Sequence, residues 1–203
     1  MSSRKSLILV VILFLTGIVV VGINYEKFVD LNFTAQIINE KNRKLIGTEV
    51  SGGTPTILPS SEDSKGKNEM VDTTSILKDF SFCDDAIEPT SVTKFPTTGG
   101  KTPEVIFTNG ACIVFTKEKG EGWECKPGDT LSFSFEKYPS NVVDDQALII
   151  GCIQNRTFKS GETFTELSGS YYTEIQEGGE YFIYVISATS DYLAMKEGEI
   201  AVS

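Results

Sequence analysis

Thr130–Lys137 reads TLSFSFEK, and its apolar and polar side chains alternate residue by residue. The apolar side chains that fall on one face are Leu131, Phe133 and Phe135. A period of two residues is typical of a β-strand with one buried face. Pro127-Gly128-Asp129 comes just before it and is a turn signal. This segment therefore predicts a strand that borders a hydrophobic core.

Two further segments are apolar on both faces and predict buried strands: Glu180–Ser187 (EYFIYVIS) and Ala147–Ile153 (ALIIGCI). Gly178-Gly179 follows Tyr171–Gln176, and this spacing predicts a hairpin that joins that segment to Glu180–Ser187. Weaker strand patterns occupy Glu104–Phe107, Ala111–Lys117, Thr163–Leu167, Tyr192–Lys196 and Glu199–Val202. Short strands spaced about ten residues apart, without a helical period, indicate an all-β domain. We expect residues 76–203 to form an antiparallel β-sandwich of the jelly-roll or immunoglobulin-like type.

The charge of this domain limits its partners. The chain has a net charge of −10. Residues 1–76 hold eight basic and eight acidic side chains, whereas residues 77–203 hold ten basic and twenty acidic ones, so the whole excess lies in the C-terminal domain. Such a surface repels phosphate backbones, and nucleic acid is not an expected partner.

The chain has no histidine, which removes the Ser-His-Asp and Cys-His forms of catalysis.

An uncharged segment, Leu7–Ile23, lies near the start of the chain (LILVVILFLTGIVVVGI). As a helix it would be about 26 Å long, close to the thickness of a hydrocarbon core. We expect a single-pass transmembrane helix over residues 7–24 that inserts in the lipid bilayer. The alternatives are a cleaved secretory signal and a buried helix of a soluble domain. Arg4 and Lys5 place the short N-terminus, residues 1–6, in the cytoplasm and the C-terminal domain outside the cell membrane.

The sequence between this helix and the β domain has two parts. Residues 25–47 carry apolar side chains at three- and four-residue steps and predict a juxtamembrane helix that ends at Gly47. This helix either lies along the membrane or, with the segment before it, supports homo-oligomerisation through residues 7–46. Residues 48–75 are rich in Gly, Pro, Ser and charged residues and predict a disordered linker.

Four cysteines can form two disulfides outside the cell. Cys112 and Cys125 flank a turn at residues 119–122, and a hairpin there would bring them opposite each other, which leaves Cys83–Cys152 as the second pair. The alternative is that Cys112 and Cys152 are small buried side chains with free thiols. No Cys-x-x-Cys spacing occurs, so zinc and redox chemistry are not expected.

Two kinds of ligand-binding residue stand out in the domain. The adjacent acidic pairs Asp84-Asp85 and Asp144-Asp145 fall in predicted loops and are the candidates for calcium, against the simpler interpretation of solvated loop charges. No other metal or cofactor is expected. The aromatic side chains that can form a platform for sugar rings are Trp123, Tyr138, Tyr171 and Tyr172. Aromatic residues on strands more often pack in the core or pair across strands.

These observations predict a membrane-anchored, surface-displayed binding module without catalytic activity. Its ligand, a protein or a glycan, is not specified by any motif. The alternatives are a carboxylate-dependent hydrolase of the glycosidase type and a structural subunit of a surface assembly. Against the hydrolase, about 130 residues leave little room for a cleft, and no pair of acidic residues stands out.

Overall fold

The computed structural model describes residues 35–50 and 80–203, and these residues form an all-β fold, as the sequence predicts. Within them the one helical segment is a single 3-10 turn at Arg43–Leu45. The strands of the described residues are β1 Ala35–Ile37, β2 Ser81–Phe82, β3 Ser91–Pro96, β4 Val105–Phe107, β5 Ala111–Thr116, β6 Trp123–Cys125, β7 Thr130–Glu136, β8 Leu148–Gln154, β9 Thr157–Phe158, β10 Glu162–Phe164, β11 Ser168–Glu174, β12 Gly179–Ser187, β13 Leu193–Met195 and β14 Glu199–Val202.

The largest sheet has eight strands, with β12 near its centre. Its main order is β2-β9-β8-β12-β5-β3, while β10 also pairs with β8 and β6 also pairs with β12. The strand β12 is apolar on both faces because each face meets a different cluster of buried side chains: Ile183 and Val185 lie in one, Tyr184 and Ile186 in the other. The sheet is mixed and not purely antiparallel as the sequence predicts, since β3 pairs with β5, and β2 with β9, in the parallel direction.

Two three-stranded sheets complete the described fold, with the orders β11-β7-β14 and β1-β4-β13. The alternation predicted for β7 is confirmed, because Leu131, Phe133 and Phe135 are buried and the side chains between them are not. These three residues join a core that collects side chains from all three sheets. Burying an apolar side chain of this size favours folding by about 1.5–3 kcal/mol.

A second apolar cluster lies on the other face of the eight-stranded sheet. It contains Phe158 and Tyr184, whose rings are 4.9 Å apart, and residues from four strands of the sheet. Phe82 stacks on Phe158 with ring centroids 4.9 Å apart, and Phe80 meets the same ring edge-on at 5.2 Å. The segment from Phe80 to Ala86 therefore packs against this face.

The helix predicted for residues 25–47 is wrong for its described part. Ala35–Ile37 is the strand β1, which pairs antiparallel with β4, and the chain then turns. Asn42 breaks any helical period here: its Oδ1 accepts the Asn39 N–H at 2.8 Å and its Nδ2 donates to the Ile37 carbonyl at 3.0 Å. Asparagine side chains compete with helical hydrogen bonds in this way. Residues 25–34 lie outside the described residues.

The start of the predicted linker is also wrong. The Gly47 N–H donates to the Tyr192 carbonyl, and the Tyr192 N–H donates to Thr48, so this part of residues 48–75 is attached to the β domain. The domain thus includes residues 35–50, which the predicted boundary at residue 76 leaves out. The rest of the predicted linker, residues 51–75, lies outside the described residues, as do the N-terminus and Leu7–Ile23.

The hairpin predicted at Gly178-Gly179 does not form. The strand β11 pairs with β7 in a small sheet, whereas β12 pairs with β5, β6 and β8 in the large one. The two strands follow each other in sequence but belong to different sheets. In the part of the chain that the structure describes, no helix has the length and apolar character needed to cross a membrane.

Candidate functional site

An open cleft of about 430 Å³ lies beside Trp123. Two tight turns form its walls. In the first, Thr98 and Lys101 exchange main-chain hydrogen bonds of 3.0 and 3.1 Å across Gly99 and Gly100. Both glycines have positive φ, +59° and +85°, as a two-residue turn of the I′ type requires. The residues that line the cleft are Thr97, Gly99, Gly100, Lys117, Glu118, Lys119, Glu121 and Trp123.

The second turn spans residues 117–121 and interrupts the path from β5 to β6. The Lys117 N–H donates to the Glu121 carbonyl at 2.7 Å, and the Gly120 N–H donates to the Lys117 carbonyl at 2.9 Å. Gly122 then fixes the turn against β12, because its N–H donates to Glu180 Oε1 at 2.7 Å. A Cβ at Gly122 would lie 2.4 Å from the Tyr181 carbonyl oxygen, so only glycine fits there.

The cleft is lined by one aromatic side chain and by several charged ones. Trp123 is 7% exposed and packs into the main core, so only a small part of its side chain borders the cleft. Two lysines and two glutamates of the second turn also line the cleft, and all four are exposed. A volume of about 430 Å³ lies within the usual range of small-molecule pockets.

The predicted aromatic platform is not assembled. Trp123 borders the cleft, Tyr171 is 4% exposed inside the core, and Tyr172 is 62% exposed on the opposite face of the same strand. The pKa of Tyr171 is raised, above all by burial. Tyr171 and Tyr172 are separated because neighbouring residues of a strand point to opposite faces. Tyr171 and Tyr172 therefore do not contribute to one exposed surface, as the predicted platform requires.

Tyr172 stands on the polar, solvent-exposed face of the β11-β7-β14 sheet. The register aligns Tyr172 with Ser132 of β7, and Ser132 with Ala201 of β14. One step along, the alignment is Ser170, Ser134 and Glu199. Tyr172 is thus the one large side chain of this part of the face, and its neighbours Ser132, Ala201, Ser170 and Ser134 are short. The carboxylates that border these short side chains belong to Glu136, Glu174 and Glu199.

Tyr138 belongs to a polar network on a different part of the domain. Its hydroxyl donates to Glu104 Oε1 at 2.6 Å, and Arg43 Nη2 contacts Glu104 Oε2 at 2.9 Å. The pKa of Glu104 is lowered, first by the hydrogen bond from Tyr138 and also by Arg43. Lys196 Nζ lies 5.5 Å from the centre of the Tyr138 ring and also pairs with Glu136. This network holds Tyr138 in place and uses its hydroxyl internally.

A buried lysine, Lys137, is a feature that the sequence analysis missed. It is 1% exposed, and its Nζ donates to the carbonyls of Gln146, Thr165 and Phe164 at 2.5, 2.9 and 3.3 Å. Burial is the main cause of the lowered pKa of Lys137. Lys137 follows Leu131, Phe133 and Phe135 at the same two-residue step, so the alternation of β7 places it on the buried face. This alternation was the one feature of the sequence that indicated an inward position for the lysine.

Next to Lys137, Gln146 and Asp191 are buried and bonded to each other. Gln146 Nε2 donates to Asp191 Oδ2 at 2.7 Å, and Thr189 Oγ1 donates to Asp191 Oδ1 at 2.8 Å. Asp191 is fully buried, so its carboxylate depends on these donors for compensation. The group joins the end of β7 to the loops at residues 139–147 and 188–192.

The four cysteines are free thiols in the structure. The pairing Cys112–Cys125 is wrong, because β5 and β6 do not form a hairpin with each other. Both pair with β12, where Cys112 aligns with Ile186 and Cys125 with Gly179. Seven residues of extended chain separate these positions, roughly 23 Å, whereas a disulfide needs Cα atoms within about 7 Å.

Cys83 and Cys152 are closer, but β9 lies between them. The Cys83 N–H donates to the Phe158 carbonyl, and the Lys159 N–H donates to the Cys152 carbonyl. Two strand spacings place the Cα atoms about 10 Å apart, beyond the range of a disulfide. Burial raises the pKa of both Cys112 and Cys152, as expected of buried thiols.

The acidic pairs do not converge. Asp84, Asp85, Asp144 and Asp145 are all exposed, and they lie in two loops, one after β2 and one before β8. Among residues 35–50 and 80–203, no group of three or more Cys, Asp or Glu side chains is placed to hold a metal ion. Calcium usually takes six to eight oxygen ligands, and a pair of neighbouring carboxylates falls short of this number.

Comparisons with known proteins do not identify the chain. No protein-family model matches it, and no curated protein does either. Its function is therefore inferred from the cleft, the sheet faces and the charges described above.

Proposed function

We propose that the protein is a membrane-anchored, surface-displayed binding module, and that its ligand is a glycan bound in the cleft beside Trp123. The observation that carries this proposal is the cleft itself, which two tight turns and the Trp123 side chain border. A sugar ring presents C–H groups to an aromatic side chain and hydroxyls to neighbouring polar groups. The main chain at Gly99-Gly100 and the charged turn at residues 117–121 offer such groups.

The architecture we propose for this module is a β-sandwich. The observation that supports it is that one apolar core collects side chains from the eight-stranded sheet and from both small sheets, as the core of packed sheets does. We also propose that Leu7–Ile23 anchors the chain in the membrane with the domain outside the cell. The absence of charge over these seventeen residues supports the anchor, and Arg4 and Lys5 support the orientation.

Ligand binding in the cleft can be followed by tryptophan fluorescence, because Trp123 is the one tryptophan of the chain. A screen of the full-length protein in detergent against a glycan array supplies the probe. Titration of a bound glycan should then change the intrinsic tryptophan fluorescence with a saturable dependence on concentration. Lys119→Glu, inside the cleft, should weaken binding at least fivefold, whereas Lys126→Glu, an equal charge change outside it, should leave the affinity within twofold. Array binding without any fluorescence change would contradict a site at Trp123.

The anchor is tested separately. The intact protein should fractionate with membranes, resist extraction by carbonate and lose its C-terminal domain to protease added outside the cells. Recovery of the intact chain in the soluble fraction, or complete protection from external protease, would contradict the proposed location.

A further inference from the structure

The outer edge of β11 is open among the described residues. In the order β11-β7-β14, β11 is outermost and pairs with β7 along its whole length. Two hydrogen bonds at the ends of β11 show which of its residues bond to β7. The Lys137 N–H donates to the Leu167 carbonyl at 2.6 Å, and the Ile175 N–H donates to the Asp129 carbonyl at 2.8 Å. Hydrogen-bonded and non-hydrogen-bonded pairs alternate in an antiparallel ladder, so odd-numbered residues bond to β7. The residues whose N–H and C=O groups face outward are Ser168, Ser170, Tyr172 and Glu174.

Four other edge strands in the described part of the chain are either protected or very short, and β11 is neither. The edge strand β3 carries Lys94 and Pro96, both common guards against strand addition. The edge of β14 is covered, because the Ile200 N–H donates to the Gly100 carbonyl at 2.9 Å. The edge strands β1 and β2 have three and two residues. By contrast, β11 offers seven residues, SGSYYTE, without lysine or proline.

The side chains beside this edge indicate the charge of the partner. Tyr172 and Glu174 lie on the solvent face of β11, and Glu136 lies beside Ser168 on the same face. The Glu136 carboxylate pairs with Lys196, while no salt bridge of Glu174 is found among the described residues. A second copy of this chain would bring the same carboxylates and the same excess of negative charge to the edge. A basic strand would instead place a lysine over the Tyr172 ring and near Glu174, two residues along the same face.

We propose that β11 binds an extended basic peptide as an added antiparallel strand of the β11-β7-β14 sheet. Main-chain hydrogen bonds to the four outward-facing residues supply the docking, and alternate lysine or arginine side chains meet Tyr172 and Glu174. This interaction surface does not depend on the cleft beside Trp123, because the two are formed by different strands.

The probe is a fluorescent nine-residue peptide in which lysine and valine alternate, titrated into the full-length protein in detergent micelles and followed by anisotropy. A second peptide of the same sequence carries N-methyl groups on the amides that would bond to β11. The first peptide should bind saturably, and N-methylation should weaken binding at least tenfold. Equal binding of the two peptides would show attraction by charge alone and would overturn strand addition.

Variants of the protein locate the site. Ser170→Pro removes one outward N–H and leaves the ladder to β7 intact, so affinity should fall at least tenfold. Glu174→Lys should weaken binding at least fivefold, whereas the matched change Glu124→Lys, on β6, should leave affinity within twofold. Loss of binding that is equal for Glu174→Lys and Glu124→Lys would overturn the site.

A dimer of the unliganded protein that Ser170→Pro dissociates would also overturn the proposal, in favour of a second copy as the occupant. If Ser170→Pro alters the circular dichroism spectrum, the N-methylated peptide still decides.

Discussion

Arg43 and Glu104, sixty-one residues apart in the chain, form an ion pair with 2.9 Å between Nη2 and Oε2. The pair joins the segment that follows β1 to the segment that enters β4, and β1 itself pairs with β4. Glu104 is also bound by the Tyr138 hydroxyl, so one carboxylate connects three separate parts of the chain. Residues 35–50 are therefore a structural part of the β domain, and a change within them should affect the stability of the whole domain.

Asn42→Ala should destabilise the domain by about 1–3 kcal/mol, the usual cost of leaving buried polar groups without partners. Asn42 is 5% exposed and bonds to Asn39, Ile37 and Gln36. Urea unfolding followed by fluorescence measures the change. Lys44→Ala, at an exposed position two residues on, is the control and should stay within about 0.5 kcal/mol of the wild type. Equal effects of the two changes would contradict a structural role of this segment.

Lys137 should make stability depend on pH. Burial lowers its pKa in the folded state below the ordinary value of 10.5, so the unfolded chain binds the proton more tightly. Between the folded and the unfolded pKa, the unfolded state therefore holds more protons, and the contribution of this residue to the free energy of unfolding rises with pH. That contribution is complete above 10.5 and is lost as the pH falls through the folded pKa.

The measurement compares the wild type with Lys137→Met from pH 8 to pH 10.5. The free energy of unfolding of the wild type minus that of the variant should increase over this range. Lys126→Met, which removes an exposed lysine, is the control for the loss of one positive charge. A difference that is flat or decreasing for Lys137→Met means that the lysine is not held in a desolvated site.

Gly151 and Tyr184 are paired across β8 and β12, and the tyrosine ring occupies the space above the glycine. A Cβ at Gly151 would lie 2.5 Å from the Tyr184 Cζ and hydroxyl oxygen, so Gly151→Ala should destabilise by about 1–3 kcal/mol through overpacking. In a Tyr184→Leu background the same change should cost clearly less, because the ring is gone. A double-mutant cycle of chemical unfolding experiments gives the coupling, and additive effects would contradict this packing.

Thiol reactivity should separate Cys83 from the other cysteines. Cys83 is half-buried, whereas Cys112, Cys125 and Cys152 are buried. Iodoacetamide without reductant should modify Cys83 first in the native protein and all four thiols after denaturation, as counted by mass spectrometry. Detection of fewer than four modifications in the denatured, unreduced protein would reveal a disulfide and contradict the free thiols. Cys83→Ser serves as the control, since it should remove the fast-reacting site.

The aromatic residues illustrate how far the sequence predicts a site. The one-residue step from Tyr171 to Tyr172 implies opposite faces, so their separation was already present in the strand pattern. The role of Trp123 was not, because its contact with the cleft depends on the turn at Gly99-Gly100, which reaches it from a distant part of the chain. The buried group of Lys137, Gln146 and Asp191 was also invisible, since charged and amide side chains resemble surface residues until their partners are known.

The sequence by itself determined that residues 76–203 are rich in strands, which face of β7 is buried, and that β8 and β12 are buried on both faces, because side-chain alternation is a local property of an extended chain. The tertiary structure alone decided which strands pair. It placed β11 beside β7 instead of β12, aligned β5 and β6 along one side of β12, and added β1 to the domain. The physical reason is that pairing is selected by the burial of whole sheet faces in a common core, which sums contacts between residues far apart in the chain and leaves no trace in any short segment.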